Sequence, residues 1–263
     1  MAHIPWDPQL EAVVEFSDVS IRMPRRRRRR GSGRRQRLRR IAGEARREEV
    51  DVLRNVSFRV EPGEAVAVLG STGPGRQALL RLVAGTLRPD SGTVRRSRPI
   101  VPMVEVARSF TRTYSIRQNI YLVGGLLGMT PAQVEQRLPG IVETSGITIS
   151  LDRYLGAAPA LVRQKLAWSI AMSVEADAYA IDRTVVVGDQ SFRDQCWAHV
   201  DRLRENGATF VIATDSPRTL RHFCSRALVF NQGRLVSDTS MVDGIEVLRQ
   251  TRQEVKETED GPA

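Results

Sequence analysis

The chain is short of the residues that build stapled or metal-held folds. Its 263 residues contain 2 cysteines, Cys196 and Cys224, and 3 scattered histidines, His3, His199 and His222. Two cysteines make neither a disulfide framework nor a ligand set, and they read as core thiols of a reducing compartment. Aromatic residues are only 5% of the chain. Trp6, Trp168 and Trp197 are expected to pack inside it rather than to form a stacking platform. No stretch reaches the roughly 18 apolar residues that a membrane-crossing helix needs. Met1 to Pro8 lacks a basic region followed by an apolar run, so no secretory signal is expected. Membrane association would then come through a partner or through charge.

What is present is ordinary for a globular protein, with 41% hydrophobic and 27% charged residues. The length suits one large domain, or one domain with appendages. The net charge of +10 is concentrated in one place. Arg25 to Arg30, Arg34, Arg35, Arg37, Arg39 and Arg40 are 11 arginines without an acid, and the rest of the chain carries a formal −1.

Val13 to Met23 and Val50 to Val60 alternate like strands, and the arginine tract between them reads as a loop or arm, with a short helix expected from Arg39 to Glu49. Ala65 to Leu69 is a short apolar run of the kind buried on both faces of a sheet. A glycine-rich turn follows, then helical spacing from Arg76 to Ala84. Residues 115 to 175 have a mostly helical pattern, with breaks expected near Gly124-Gly125, Gly140, Gly146 and Pro159. Ala178 to Ile181 and Phe210 to Ala213 are two more core-strand candidates. Helices are expected over Phe192 to Glu205 and Ser216 to Ser225. A hairpin is expected around Asn231-Gln232-Gly233, and a polar, frayed tail from Arg249. Strands alternating with helices predict an α/β layered domain.

The turn carries chemistry. Gly70-Ser71-Thr72-Gly73-Pro74-Gly75-Arg76-Gln77 keeps the glycine frame of a phosphate-binding loop, G-x-x-x-x-G-K-[ST], whose amides cradle phosphate at a helix N-terminus. Arg76 stands where that motif has lysine; it keeps the charge, but its guanidinium is larger and planar. Gln77 stands where the motif has a magnesium-binding hydroxyl. A glycine-rich turn with no ligand remains the competing reading of this window alone.

The surrounding text resembles the nucleotide-binding (ATPase) subunit of ABC transporters, in the branch that exports polysaccharide, O-antigen and teichoic acid. LRNVSFRVEPGEAVAVLGSTGPGRQALLRLVAGTLRPDSGTV (53–94) is similar to the opening of such a domain. RQNIYLVGGLLGM (117–129), AIDRTVVVGDQSFRDQC (180–196) and SRALVFNQGRLVSDT (225–239) follow in the same order. The resemblance covers about residues 13–240. It implies a P-loop NTPase-like ABC ATPase domain with a mixed core sheet, an N-terminal antiparallel β subdomain and a helical subdomain at about 112–175. The Arg-rich insertion would occupy 24–49, with tails at 1–12 and 241–263. Gly70 to Ala78 would hold the nucleotide, and Asp182 would be the metal carboxylate.

The resemblance also exposes departures. Arg183 occupies the position of the catalytic glutamate, and general-base help of about 10²–10⁴-fold then has no obvious donor. Thr214 occupies the position of the switch histidine, with Asp215 after it. The signature Ser and Gly become Ala160 and Leu161. Between Ile100 and Thr113 there is no clear magnesium-sensing glutamine, and no adenine-stacking aromatic is evident around Ile21 to Pro24. Phosphoryl transfer depends on such positioning and charge stabilisation. Both faces of a composite dimer site are affected, so an intact partner subunit would not restore either site.

The expectation is therefore a degenerate nucleotide-binding subunit, a pseudo-ATPase with weak ATP binding and no tightly held magnesium. It would act with an integral membrane permease as a homodimer, or as a heterodimer with another ABC subunit, on the cytoplasmic face of the cell membrane. The docking surface implied by the resemblance lies near Gln118 to Met129. Two alternatives stay open: an active ATP-hydrolysing subunit with atypical motifs, and a soluble polyanion-binding module. For Arg25 to Arg40, a solvated loop, contact with anionic lipid and contact with nucleic acid all remain readings.

Overall fold

The computed structural model describes residues 7–24, 49–71, 73–104, 106–182, 188–214 and 217–259. The arginine tract, the short helix expected from Arg39 apart from its last residue Glu49, Trp6, Thr72, Arg183 and Asp215 lie outside them.

Strand β1 (Val14–Pro24) runs between β2 (Glu49–Val60) and β4 (Ser91–Arg96), antiparallel to both. Alternation explains this sheet. Val14, Phe16, Val19 and Ile21 of β1 and Val56, Phe58 and Val60 of β2 turn to one buried face. Phe16 and Phe58 are directly paired across the strands, and their rings stack 4.4 Å apart.

The second sheet holds β3 (Ala65–Leu69), β5 (Val101–Met103), β6 (Ala178–Asp182), β7 (Thr209–Ala213), β8 (Arg226–Asn231) and β9 (Arg234–Ser240). Its order is β5-β6-β7-β3-β8-β9, parallel except for the β8–β9 hairpin. Every residue of β3, β6 and β7 is buried, as their unbroken apolar runs require. Helix α1 (Gly73–Val83) lies between the two sheets; Leu79, Leu80 and Leu82 share a core with Phe16, Phe58, Val68 and Val211. The other face of the large sheet, including Leu69, Ile181 and Ile212, packs with α2 (Ile116–Leu126), α3 (Pro131–Ser145), α4 (Ala160–Met172) and α5 (Gln190–Glu205).

The helix ends follow local chemistry. Ser115 caps α2 by accepting from the Gln118 N–H at 3.1 Å, and Gln118 Oε1 accepts from the Ser115 N–H at 2.9 Å. Thr130 and Gln133 repeat the same box on α3, with Pro131 in the first turn. Gly146, at φ 67°, ends α3 in the left-handed region that glycine favours.

Three expectations need correction. Gly124-Gly125 and Gly140 do not break helices; they lie inside α2 and α3. At Gly124 an added Cβ would come within 2.7 Å of Val134 Cγ2, so the glycine lets α3 approach. Ser216 to Ser225 is not a helix: its described part has a single 3-10 turn at Pro217–Leu220. There the Leu220 carbonyl accepts from the N–H groups of both Phe223 and Cys224, and the chain enters β8 directly. The expected C-terminal tail is instead α6 (Met241–Glu259). Ser240 caps it by accepting from the Asp243 N–H, and Met241 and Leu248 are buried in the main core. The polar composition concealed a one-sided apolar face.

Candidate functional site

The middle of the large sheet brings three segments to one edge. Asp182, the last residue of β6, pairs in register with Ala213 of β7, and Ala213 with Val68 of β3. The loop from Gly70, the Asp182 carboxylate and Thr214 therefore emerge together. In parallel sheets ligands bind outside these carboxyl ends.

Gly70 has φ 72°, and a Cβ there would lie 2.3 Å from the Phe230 carbonyl oxygen, so no other residue fits the turn. Ser71 is partly buried, and the backbone then opens α1 at Gly73. Among the described residues, a Cβ built on Gly73 meets nothing within 4 Å. Pro74 sits in the first turn, where its missing N–H costs no helix bond. That turn contains no acid, and the helix N-terminus favours an anion. Gly75, Arg76 and Ala78 are buried and Gln77 is partly so. This scaffold fits phosphate.

The side chains on it do something else. Arg76 Nε lies 3.0 Å from Asp182 Oδ1, with side-chain exposures of 9% and 7%. The Nε–H direction departs from the line to the oxygen, so this contact is an ion pair more than an aligned hydrogen bond. In low dielectric the mutual attraction offsets a large desolvation penalty, and removing one partner leaves a buried charge. The carboxylate expected to hold magnesium is thus neutralised within the protein, and Gln77 presents an amide where the metal site needs a hydroxyl. These residues do not fit a magnesium ion. The composition of the loop foretold a cation at position 76; its contact with Asp182 was not read from the sequence.

Thr214 is buried just past β7. Arg183 and Thr72 lie outside the described residues, so their placement beside Asp182 and in the loop remains an expectation. Ala160 and Leu161 begin α4, whose N-cap, Pro159, supplies no side-chain bond. Leu161 is 45% exposed, which presents a branched alkyl group rather than a donor at that helix start. A link absent from the sequence reading joins α4 to α5. Lys165 Nζ donates to Asp189 Oδ2 at 2.7 Å, and Asp189 caps α5 by accepting from the Phe192 N–H at 2.9 Å. The lysine, then the cap, hold the Asp189 carboxyl below its ordinary pKa. Trp168 is buried and Trp197 packs on Phe223, as packing residues do.

A parallel sheet ending at a glycine loop that opens a helix, joined to a small antiparallel sheet and a helical group, defines a P-loop-type nucleotide-binding domain. Comparison with known proteins narrows the class. The ABC transporter family matches residues 53–190. The O-antigen export system ATP-binding protein RfbB of Klebsiella pneumoniae is 31% identical over 75% of this chain and 80% of its own. The chain therefore belongs to the ABC transporter family.

The ABC transporter protein AbcA of Aeromonas salmonicida is 27% identical over 70% of this chain and 60% of its own length. The teichoic acids export ATP-binding protein TagH of Bacillus cereus is 27% identical over 70% of this chain, but only 33% of its own. The chain thus matches less than two thirds of the length of AbcA and one third of that of TagH. A solved ATP-binding subunit of an ABC transporter shares the fold, with TM-score 0.68, 18% identity, and 93% of this chain and 99% of that one covered. A dimeric ATP-binding cassette bound to ADP and Pi has TM-score 0.65 at 15% identity, covering 87% of this chain and 98% of its own.

Proposed function

We propose that this chain is the nucleotide-binding subunit of a polysaccharide-type exporter and that it hydrolyses ATP very slowly or not at all, acting on its permease as a structural or regulatory subunit. The observation that carries the catalytic half is the buried Arg76–Asp182 ion pair, which occupies the carboxylate a working site needs for its metal. Arg183 and Thr214, at the positions of the glutamate and histidine, and Leu161, at the signature position, act in the same direction. The export half is supported by the relatives, whose names describe O-antigen and teichoic acid export.

Docking on the permease is expected at the start of the helical group. Leu126 is 56% and Tyr154 68% exposed, and Tyr114 is exposed as well. An isolated bridge between Ser115 and Tyr154 ties the two tyrosine-bearing segments together. Among the described residues no helix is long and apolar enough to cross a membrane, so in this reading the partner supplies the membrane-spanning part.

Two measurements test the two halves. Purified protein with ATP and magnesium should release phosphate no faster than Asp182→Ala; turnover that this variant abolishes would establish an active enzyme instead. Co-expressed with its permease, the chain should co-purify, and Leu126→Glu with Tyr154→Glu should weaken the association. Substitutions at such exposed positions shift stability by only about 0.5 kcal/mol. Failure to associate with any membrane protein would remove the export assignment.

A further inference from the structure

We propose that the cavity between α3, α4 and α5 is a binding site for an amphipathic carboxylate, an apolar chain or ring that carries one acid group. None of its residues belongs to the glycine loop or to β6, and the inference does not depend on how the chain treats ATP. The cavity exists because of what the three helices place opposite one another. Gly140 of α3, Ser169 of α4 and Ala198 of α5 all line it, and side chains this small leave the space between the helices unfilled. Glycine inside a helix is unfavourable relative to alanine. Yet among the described residues a Cβ on Gly140 would meet nothing within 4 Å. Gly124 admits a neighbouring helix; Gly140 leaves room. The cavity measures about 570 Å³, inside the range of roughly 300–1,000 Å³ usual for small-molecule sites. Ile141, Trp168, Met172, Val174 and Leu203 form its apolar wall. Gln136, Gln195 and Arg202 also line it and are exposed, so it opens to solvent.

The polar groups of the cavity favour an anion. Arginine only donates, so the 3.3 Å contact of Arg202 Nη2 with His199 Nδ1 makes Nδ1 the acceptor and leaves the ring proton on Nε2. The Met172 carbonyl lies near that imidazole, but among the described residues no aligned acceptor reaches His199 Nε2–H or Trp168 Nε1–H, and both atoms are buried. Trp168 is only 4% exposed. Native interiors rarely leave such donors unmatched. Charge points the same way. Arg137 pairs with Glu175 at 2.9 Å, whereas among the described residues no carboxylate pairs with Arg202. Two guanidinium groups thus line the cavity against one carboxylate. A carboxylate supplies the one missing negative charge and up to four acceptor sites. A bare ion would leave the apolar wall uncovered, and a neutral apolar molecule would leave Arg202 without a counter-charge.

The test is calorimetric titration of the full chain with octanoate, 4-phenylbutanoate, octanol and acetate. One equivalent of at least one of the two larger acids should bind at least about tenfold tighter than octanol or acetate. The acid that binds tighter identifies the apolar body as a chain or a ring. No saturable binding of either acid, or equal affinity for octanol, overturns the proposal. The 11 arginines of residues 25–40 attract acids as well, so two variants tie the binding to the cavity. Ala198→Phe fills it and Arg202→Gln removes the uncompensated charge. Each should weaken binding of that acid by about tenfold or more, and undiminished affinity in either variant, shown to be folded by circular dichroism, contradicts the proposal. Should Ala198→Phe not fold, Arg202→Gln, at an exposed position, decides alone.

Discussion

Asn119 and the Arg76–Asp182 pair both bury polar side chains, and they do so for different ends. At Asn119, on the first turn of α2, the amide is fully buried. Its Nδ2 donates to the carbonyls of Thr111, Tyr114 and Ser115 at 3.0, 3.3 and 2.9 Å, and its Oδ1 accepts from the Thr111 N–H at 2.8 Å. Those are backbone groups that folding must satisfy. At the ends of β3 and β6, Arg76 and Asp182 come from the two segments that a nucleotide site would aim at ligand, and they face one another. In the function proposed for this chain, the backbone of a phosphate site persists while its side chains become part of the structure.

That contrast can be broken or sharpened by substitution. The largest effect is expected at Arg76→Ala, which removes the guanidinium 3.0 Å from the buried Asp182 carboxylate and should cost about 3–5 kcal/mol in urea unfolding. A loss below about 1 kcal/mol would mean that water already reaches the pair. Asn119→Ala should cost about 1–3 kcal/mol, through the orphaned backbone groups at Thr111 and Ser115. Ser115→Ala removes one cap bond of α2 and should cost about 1 kcal/mol. Arg117→Ala breaks a solvated pair with Asp152 at 3.5 Å and should change unfolding by no more than about 1 kcal/mol.

The smallest effect is linked to pH. Burial, then the nearby Arg202 charge, lowers the pKa of His199 below its ordinary value. The unfolded chain therefore takes up that proton first. The stability His199 contributes is present above about pH 6.5 and is lost as pH falls toward the folded value. His199→Gln should flatten the melting temperature between about pH 7 and pH 5.5; an unchanged slope would place the proton elsewhere.

Much of the fold was legible from the residues. The runs AVAVL, AYAI and FVIA read as doubly buried strands because parallel strands need apolar residues on both faces, and they are β3, β6 and β7 within a residue or two. The polar Ser91 to Arg96 segment was not read as a strand. It is an edge of the antiparallel sheet, buried only at Val94 and Arg96, so it lacks an apolar signature. Gly124 looked like a break because sequence cannot distinguish a flexible glycine from one that admits a neighbouring helix. At the site, the swapped residue types were visible one by one, but the contact between Arg76 and Asp182 joins positions 106 apart. Only the register of β6, β7 and β3 brings them together.

The double-mutant cycle of Arg76→Ala and Asp182→Asn, followed by urea unfolding, tests the central claim most directly. An internal ion pair predicts strong non-additivity, with the double variant losing less stability than the sum of the single ones by about 1–3 kcal/mol. Additive losses within about 0.5 kcal/mol would mean that the two groups do not depend on each other, and the metal position would then still be open to a cation.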